Sequence, residues 1–184
     1  MSGTKIVNVV ATGFLGRHLD LYFVAQNMLN IIYNPQKFVA AIARLKEPKT
    51  TFLLFPSGKY VCTGATSIMQ AKRASEKITK KIKMIFKDLS PSVQFLDFEI
   101  QNVVGSYYTG FKISLEQFYY SHISNSLYEP EFFPGLRYMP SKTEKKTVLI
   151  FISGKIVITG FRNEEQVFET AYYMHRLLLK CKRE

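Results

Sequence analysis

The chain carries the same sequence pattern twice, about 95 residues apart. TTFLLFPSGKYVCTGA at positions 50–65 recurs as TVLIFISGKIVITGF at 147–161. Upstream, IVNVVAT recurs as IQNVVGS and YNPQKFVAAI as YEPEFFPGLRY. Because three motifs return in the same order at a nearly constant separation, the sequence predicts a tandem duplication joined near positions 89–92. We expect a first repeat over residues 1–90 and a second over residues 91–184.

Each repeat predicts the same succession of elements: a strand, a helix, three strands and a long helix. The strands expected in the first repeat are Lys5–Thr12, Phe38–Leu45, Thr51–Pro56 and Tyr60–Gly64. The second repeat is expected to open with a strand over Val93–Gly105 and to close with a helix whose N-cap is Asn163. Strands grouped together with helices between the groups predict an α+β fold with an antiparallel sheet.

Residues 50–64 predict a β-hairpin with its turn at 56–59. Four consecutive apolar residues, 52–55, make both faces of the first strand apolar, whereas a half-exposed strand would alternate. Alternate residues share a face, which separates a purely apolar set from a mixed set. The mixed set is Asn8, Val10, Leu53, Phe55, Val61, Thr63, Asn102, Val104, Leu149, Phe151, Val157 and Thr159. Two helices per repeat cover one face only, so the mixed face is predicted to be an exposed binding surface.

The net charge of +11 favours a polyanionic partner, either nucleic acid or an anionic membrane. No apolar run is long enough to span a bilayer, and the N-terminus lacks a signal peptide. The two distant cysteines fit a reduced intracellular compartment. A repeated apolar face with Asn and Thr donors suits the A·T-rich minor groove, whose floor shows only adenine N3 and thymine O2 acceptors.

The sequence predicts no enzyme, cofactor or metal site. His18, His122 and His175 lie near no repeated Asp, Glu or Cys. The two Ser-Gly-Lys turns lack the flanking residues of a phosphate-binding loop, since Leu53 and Tyr60 occupy those places in the first turn.

Over about residues 4–180 the chain resembles the TATA-box-binding protein family. The motifs that carry the resemblance are YNPQKF, RLKEPKTT, LLFPSGKYVCTGA, FLDFEIQNVVGS, YEPEFFPGL and LIFISGKIVITG. The resemblance implies a saddle built from two pseudo-symmetric repeats. A continuous curved antiparallel sheet forms the concave DNA-binding face, and the helices lie on the convex back.

The resemblance also implies roles for individual residues. The phenylalanines that would wedge between base steps are Phe38, Phe55, Phe133 and Phe151. Asn8 and Asn102 would lie at the centre of the groove, with the other mixed-face residues along its floor. Phosphate contacts would come from Arg44, Ser57, Ser153 and Lys37. The residues implied to bind proteins are Glu129, Glu131, Phe132, Lys72, Arg73, Lys77 and Lys80.

The implied function is a nuclear transcription initiation factor that binds TATA-box DNA and assembles with general factors IIB and IIA and with TATA-binding-protein-associated factors or inhibitors. The free protein is expected to be able to form a homodimer through its apolar face. The alternative is a paralogue that acts mainly as a protein-interaction platform. Three departures from the family pattern, Val39, Phe132 and Met139, keep that alternative open. Met139 lies where the family commonly has arginine.

Overall fold

The computed structural model describes residues 3–141 and 143–183, which contain ten strands and four α-helices. The helices are α1 (Leu21–Asn27), α2 (Ile68–Ile85), α3 (Leu115–Ser121) and α4 (Glu164–Leu178). The strands before α2 are β1 (Lys5–Phe14), β2 (Ile31–Ile32), β3 (Ala41–Leu45), β4 (Thr50–Leu54) and β5 (Lys59–Ala65). Those after it are β6 (Leu96–Tyr108), β7 (Ser126–Leu127), β8 (Leu136–Tyr138), β9 (Thr147–Ile150) and β10 (Lys155–Phe161). This is the predicted α+β fold, with the same succession of elements in each repeat. A short strand that was not predicted, β2 in the first repeat and β7 in the second, follows the first helix, so four strands stand where three were expected.

Every α-helix begins at a side chain that accepts a backbone N–H of its first turn. Asp20 accepts from Phe23 at the start of α1, and Ser114 caps α3 in the same way. Ser67 accepts from Gln70 at the start of α2, and Asn163 accepts from Glu165 at the start of α4. Such caps satisfy N–H groups that have no partner within the helix. The N-cap predicted at Asn163 is therefore confirmed.

The ten strands form one sheet in the order β2-β3-β4-β5-β1-β6-β10-β9-β8-β7. Two compact units divide the described chain: a first unit over Asn8–Gln101, and a second unit with the residues up to Val7 and those from Asn102 onward. Strands β1 and β6 each contribute to both units, because each is cut by the boundary.

The core of the first unit lies between the sheet and α2. Phe52 and Leu54 of β4 and Tyr60 and Cys62 of β5 are fully or almost fully buried. The helix supplies a matching stripe at Ala71, Ala74, Ile78 and Ile82. These residues recur every three or four positions, which places them on one side of the helix. Burial of one such large apolar side chain contributes about 1.5–3 kcal/mol.

The second unit repeats this construction with α4. Val148 and Ile150 of β9 and Ile156 and Ile158 of β10 are fully buried. Val167, Ala171, Met174 and Leu178 of α4 are buried in the same way. Cys62 and Cys181 are both free and buried.

The ends of all five predicted strands differ from those observed, including Thr51–Pro56, observed as Thr50–Leu54, and Tyr60–Gly64, observed as Lys59–Ala65. A physical reason can be given for the other three strands. Phe38 precedes β3 instead of starting it, because its backbone N–H donates to the Asn34 carbonyl at 3.0 Å and closes a local turn. Strand β6 begins at Leu96 and not at Val93. The preceding residue Gln94 uses its backbone N–H to donate to the Leu15 carbonyl at 3.0 Å, so this segment is held outside the strand. Strand β1 continues to Phe14, which pairs with Lys59.

Two buried tyrosines differ in how their hydroxyls are satisfied. The Tyr60 hydroxyl has no partner of hydrogen-bond geometry within the described chain, although Ser75 lies nearby, whereas the Tyr107 hydroxyl lies 2.8 Å from His175 Nδ1. We expect Tyr60→Phe to leave stability unchanged or raise it, because a buried hydroxyl without a partner costs free energy. Tyr107→Phe, the control, should lower the free energy of unfolding by about 1 kcal/mol. Urea denaturation measures both, and equal losses would contradict the difference.

Burial also raises the pKa of Tyr60 from 10.0 to about 12. The neutral form is thus favoured in the folded state. Below pH 10 the hydroxyl is neutral in both the folded and the unfolded state, so its ionisation does not reduce the free energy of unfolding. Between pH 10 and about 12 it ionises more readily in the unfolded state, so the free energy of unfolding falls as the pH rises. Tyr60→Phe should therefore lose less stability than the wild type over this interval in the same denaturation experiment. A steeper alkaline loss in the variant would contradict this assignment.

Candidate nucleic-acid interface

The mixed face predicted from the alternation is the exposed face of the strands in the first unit. Opposite residues of β5 and β4, such as Val61 and Leu53, pair in register, and Leu53 pairs in turn with Ile42 of β3. These side chains are half-buried, whereas their neighbours Phe52 and Cys62 are completely buried. Asn8, Val10 and Thr63 are half-buried in the same way.

The second unit presents the same arrangement. Val157 of β10 pairs with Leu149 of β9, and Thr159 pairs with Thr147. Asn102, Val104, Leu149, Val157 and Thr159 are all half-buried. Each unit therefore carries a strip of half-buried aliphatic, hydroxyl and amide side chains on the face opposite its buried core.

The Asn8 side chain is oriented by hydrogen bonds to β5. Its Oδ1 accepts the backbone N–H of Gly64 at 2.7 Å and the Thr63 hydroxyl at 3.2 Å. Gly64 has φ of +93°, a left-handed conformation that a residue with a side chain rarely adopts. Because the backbone N–H can only donate, the amide oxygen must point to it, and the NH₂ group is the free end.

Asn102 is held in the same way in the second unit. Its Oδ1 accepts the backbone N–H of Gly160 at 2.9 Å, and Gly160 has φ of +90°. Its Nδ2 donates one proton to the Thr159 hydroxyl at 3.1 Å. Since an amide NH₂ has two protons, one donor is left on Asn102 for a ligand.

Two identical turns position Phe55 and Phe151. The Phe55 N–H donates to the Lys59 carbonyl at 3.0 Å, and the Gly58 N–H donates to the Phe55 carbonyl at 2.9 Å. Phe151, Lys155 and Gly154 make the same two bonds at the same distances. Gly58 is required here, because its φ is +86° and a Cβ would overlap the Arg17 carbonyl oxygen.

The other two predicted wedge residues lie in turns that precede β3 and β8. Phe38 N–H donates to Asn34, and Phe133 N–H donates to Glu129, both at 3.0 Å. The two rings are 43% and 38% exposed. In the second unit the structure brings Phe133 and Phe151 into edge-to-face contact, with ring centroids 5.8 Å apart.

The residues predicted to contact phosphates lie at the surface. Arg44 is exposed and pairs with Thr51, and Lys37 is exposed in the turn before Phe38. Ser57 and Ser153 accept the N–H of Lys59 and Lys155, each at 3.4 Å. Both hydroxyls therefore remain beside the turns that carry Phe55 and Phe151.

The predicted protein-binding residues are separate from the mixed faces. Lys72, Arg73, Lys77 and Lys80 are exposed on α2, and Lys77 Nζ donates to the Glu47 carbonyl. Glu129 and Glu131 are exposed in the turn before β8. Phe132, which follows Glu131, is 85% exposed. An isolated aromatic ring with that exposure is available to a partner.

The mixed face contains several residues that the sequence-based prediction did not include. Thr12 pairs with Val61 and Ser106 with Val157, so both belong to the face. Phe14 beside Lys59, Tyr108 beside Lys155, and Arg137 beside Leu149 extend it further. The signal for Thr12 and Ser106 was present, because each lies two residues after a predicted valine of the same strand.

Within residues 3–141 and 143–183, no cluster of three or more His, Cys, Asp or Glu side chains could hold a metal ion. Among the same residues, no helix combines the length and apolar character needed to cross a bilayer.

The duplicated α+β fold carries a mixed face in each unit, with an asparagine donor among aliphatic residues. These features are typical of proteins that bind a ligand on the surface of a sheet. The family model for transcription factor TFIID (or TATA-binding protein, TBP) matches residues 3–85 and 97–181. The chain therefore belongs to the TATA-binding protein family, which is a family of transcription factors.

Individual relatives agree with this assignment. The TATA-box-binding protein of Saccharomyces cerevisiae is 48% identical over 162 residues, which are 88% of this chain. That of Acanthamoeba castellanii is 44% identical over 176 residues, or 96% of this chain. The chain spans only 65% and 66% of the lengths of these two relatives. The solved structure of Methanococcus jannaschii TBP matches with a TM-score of 0.79 and 35% identity, covering 97% of this chain and 99% of that chain.

Proposed function

We propose that the protein is a nuclear transcription initiation factor that binds the minor groove of TATA-box DNA and nucleates assembly of the initiation complex. The observation that carries the proposal is the matched pair of asparagines. Each has its oxygen held by the N–H of a left-handed glycine, which turns the NH₂ group into a fixed donor. The names and family of the relatives support the same function.

The chemistry of the mixed faces matches an A·T-rich minor groove. Its floor offers only the acceptors adenine N3 and thymine O2, to which fixed amide and hydroxyl groups can donate. Val61 and Leu53, like Val157 and Leu149, are half-exposed aliphatic groups that would pack against sugars and base edges. A guanine amino group would place a donor against these aliphatic and donor groups, so G·C pairs would be disfavoured.

The four phenylalanines would kink the duplex. They lie in short turns beside the mixed faces, and each is at least partly exposed. Insertion of an apolar ring between base steps costs unstacking energy and bends the DNA, which allows more protein surface to be covered. The family is itself the standard example of this effect, with a kink of about 80°, so that magnitude is carried over from the family.

The charge distribution is consistent with a DNA partner. The chain has 25 Lys and Arg residues against 14 Asp and Glu residues. Arg44, Lys37, Ser57 and Ser153 are proposed to contact phosphates, as their positions at the rims of the mixed faces suggest. In the absence of DNA, a second copy of the chain would be the alternative partner for the apolar faces.

Base substitution tests whether the protein reads the minor or the major groove. Replacement of T·A by I·C pairs changes the major groove but preserves the minor-groove pattern, so affinity for a TATA duplex should change by less than about threefold. Replacement by G·C pairs should cost about 1–3 kcal/mol per pair. A gel-shift titration of three otherwise identical duplexes measures this. Equal losses on both replacements would show major-groove reading, and equal binding of all three would favour the interaction-platform paralogue.

Removal of phenylalanines tests whether they bend the DNA. Phe55→Ala with Phe151→Ala should reduce the bend, because one wedge in each unit is lost, while some bending should persist through Phe38 and Phe133. Energy transfer between dyes at the duplex ends measures the bend. Phe168→Ala is the control, since Phe168 is 44% exposed on α4, away from the mixed faces. An unchanged bend in the double variant would refute the wedge role.

The loop Glu129–Phe133 and the exposed face of α2 are the proposed docking sites for proteins. Carboxylates beside a DNA-inserting phenylalanine would be repelled by phosphates, so Glu129 and Glu131 suit a basic protein partner instead. The partner proposed for this loop is general factor IIB. The basic residues of α2, Lys72, Arg73, Lys77 and Lys80, are proposed to bind factor IIA and other associated factors or inhibitors.

Charge reversal tests whether the loop Glu129–Phe133 is a docking site. Glu129→Arg with Glu131→Arg should leave DNA affinity unchanged or slightly higher, since two repulsive charges are replaced by attractive ones. The same variant should lose the ternary complex with factor IIB, as measured by a supershift. The charge-matched control is Glu165→Arg with Glu169→Arg, two exposed positions of α4. A ternary complex as tight as that of the wild type would exclude the loop as the docking site.

A further inference from the structure

The two units place their arginines at different positions on the mixed face. Arg44 of the first unit corresponds to Met139 of the second, because each makes the same backbone bond. The Arg44 N–H donates to the Asn30 carbonyl at 2.9 Å, and the Met139 N–H donates to the Asn125 carbonyl at 2.8 Å. The cation present at this position in the first unit is therefore missing from the second.

A cation is present two residues earlier in the second unit. Arg137 pairs with Leu127 on one side and Leu149 on the other, where Ile42 pairs with Ile32 and Leu53 in the first unit. The two units thus carry Ile-x-Arg (42–44) and Arg-x-Met (137–139) at equivalent positions. Residues two apart on a strand share a face, so Arg137 and Met139 point to the same side.

The shift moves the charge along the face. Two residues of extended strand correspond to about 7 Å. Arg44 lies beside Thr51, whose partner Thr63 contacts Asn8, whereas Arg137 lies beside Leu149, two residues before Phe151. The cation of the second unit is therefore nearer to the turn that carries the wedge residue.

The surroundings of Arg137 do not provide a structural role for its charge. It is exposed, and its partners across the sheet are two leucines. Neither of the salt bridges found within residues 3–141 and 143–183 involves it. A guanidinium on a long apolar stem can lie along such leucines while its head reaches outward.

We propose that Arg137 is a DNA phosphate contact. It would take over the role proposed for Arg44 in the first unit, about 7 Å nearer to Phe151 than the position equivalent to Arg44. The inference rests on the proposed function. A phosphate is favoured over a base edge because β8 is the next-to-last strand of the sheet, two strands out from the β10 residues that would lie on the groove floor. The planar guanidinium matches two phosphate oxygens. The two units would then neutralise non-equivalent phosphates.

The first test is the salt dependence of TATA-duplex binding. Arg137→Ile, which introduces the residue found at position 42, should reduce the magnitude of the slope of log K against log [salt] by about 1 and weaken binding on all sequences alike. Arg137→Lys should keep the slope. Arg176→Ile, an exposed arginine of α4, is the matched control and should not change it. A wild-type slope in Arg137→Ile would overturn the proposal.

The second test locates the phosphate. Single methylphosphonates, each of which removes one phosphate charge, are placed in turn along the TATA duplex. The phosphate contacted by Arg137 is the one whose replacement lowers the affinity of the wild type but not that of Arg137→Ile. Arg137→Ile with Met139→Arg should restore the slope and move this position towards the centre of the site. No change in the methylphosphonate pattern between wild type and Arg137→Ile would overturn the proposal. If the wild type itself shows no preference for the A·T-rich duplex, the proposed function fails first, and that result is separate from the Arg137 comparison.

Discussion

The arrangement of helices over one face of the strands is the constraint from which the rest of the structure follows. Side chains alternate across a strand, so each strand must divide its residues between a helix-covered face and an uncovered face. Phe52, Leu54, Ile156 and Ile158 fill the covered side and are completely buried. Leu53 and Val157 lie on the other side and are half-buried, with partners on the neighbouring strands. The covered residues therefore form the core, and the residues that alternate with them form the mixed face.

The uncovered face is shaped by backbone conformations that only glycine adopts easily. Gly64 and Gly160 present their N–H groups to asparagine oxygens, which orients the two amides. Gly58 and Gly154 allow the turns that hold Phe55 and Phe151 to pack against carbonyl groups of Arg17 and Phe111, where a Cβ would overlap. The two asparagines and two phenylalanines of the candidate site are thus positioned by hydrogen bonds to or within the main chain, which depend little on the side chains around them. This explains how the two units can keep the same geometry while much of their sequence differs.

The differences between the units show which positions were free to change. Leu15 N–H donates to Gly58 and Thr109 N–H donates to Gly154, both at 2.9 Å, so Arg17 and Phe111 are equivalent. The Arg17 guanidinium lies 4.7 Å from the centroid of the Phe86 ring and donates to the Pro91 carbonyl at 3.0 Å. These contacts hold the segment between the repeats against Arg17. Phe111 instead contacts His175, with ring centroids 5.7 Å apart. The backbone was retained, and the side chains acquired separate uses.

The sequence by itself determined the duplication, the α+β class, the hairpin and the sorting of residues into two faces. These depend on local periodicity and on repeated motifs, which can be read without knowing which strands pair. The N-cap Asn163 was predictable for the same reason, since a cap acts within one helical turn.

Only the tertiary structure decided features that depend on distant partners. The orientation of the Asn8 amide is set by the backbone N–H of Gly64, a residue of a different strand. The place of Arg137 on the mixed face became visible only through its pairing with Leu127 and Leu149. In each case the deciding hydrogen bond or strand register joins residues whose pairing no local pattern specifies, so the physical reason lies in the fold and not in the segment.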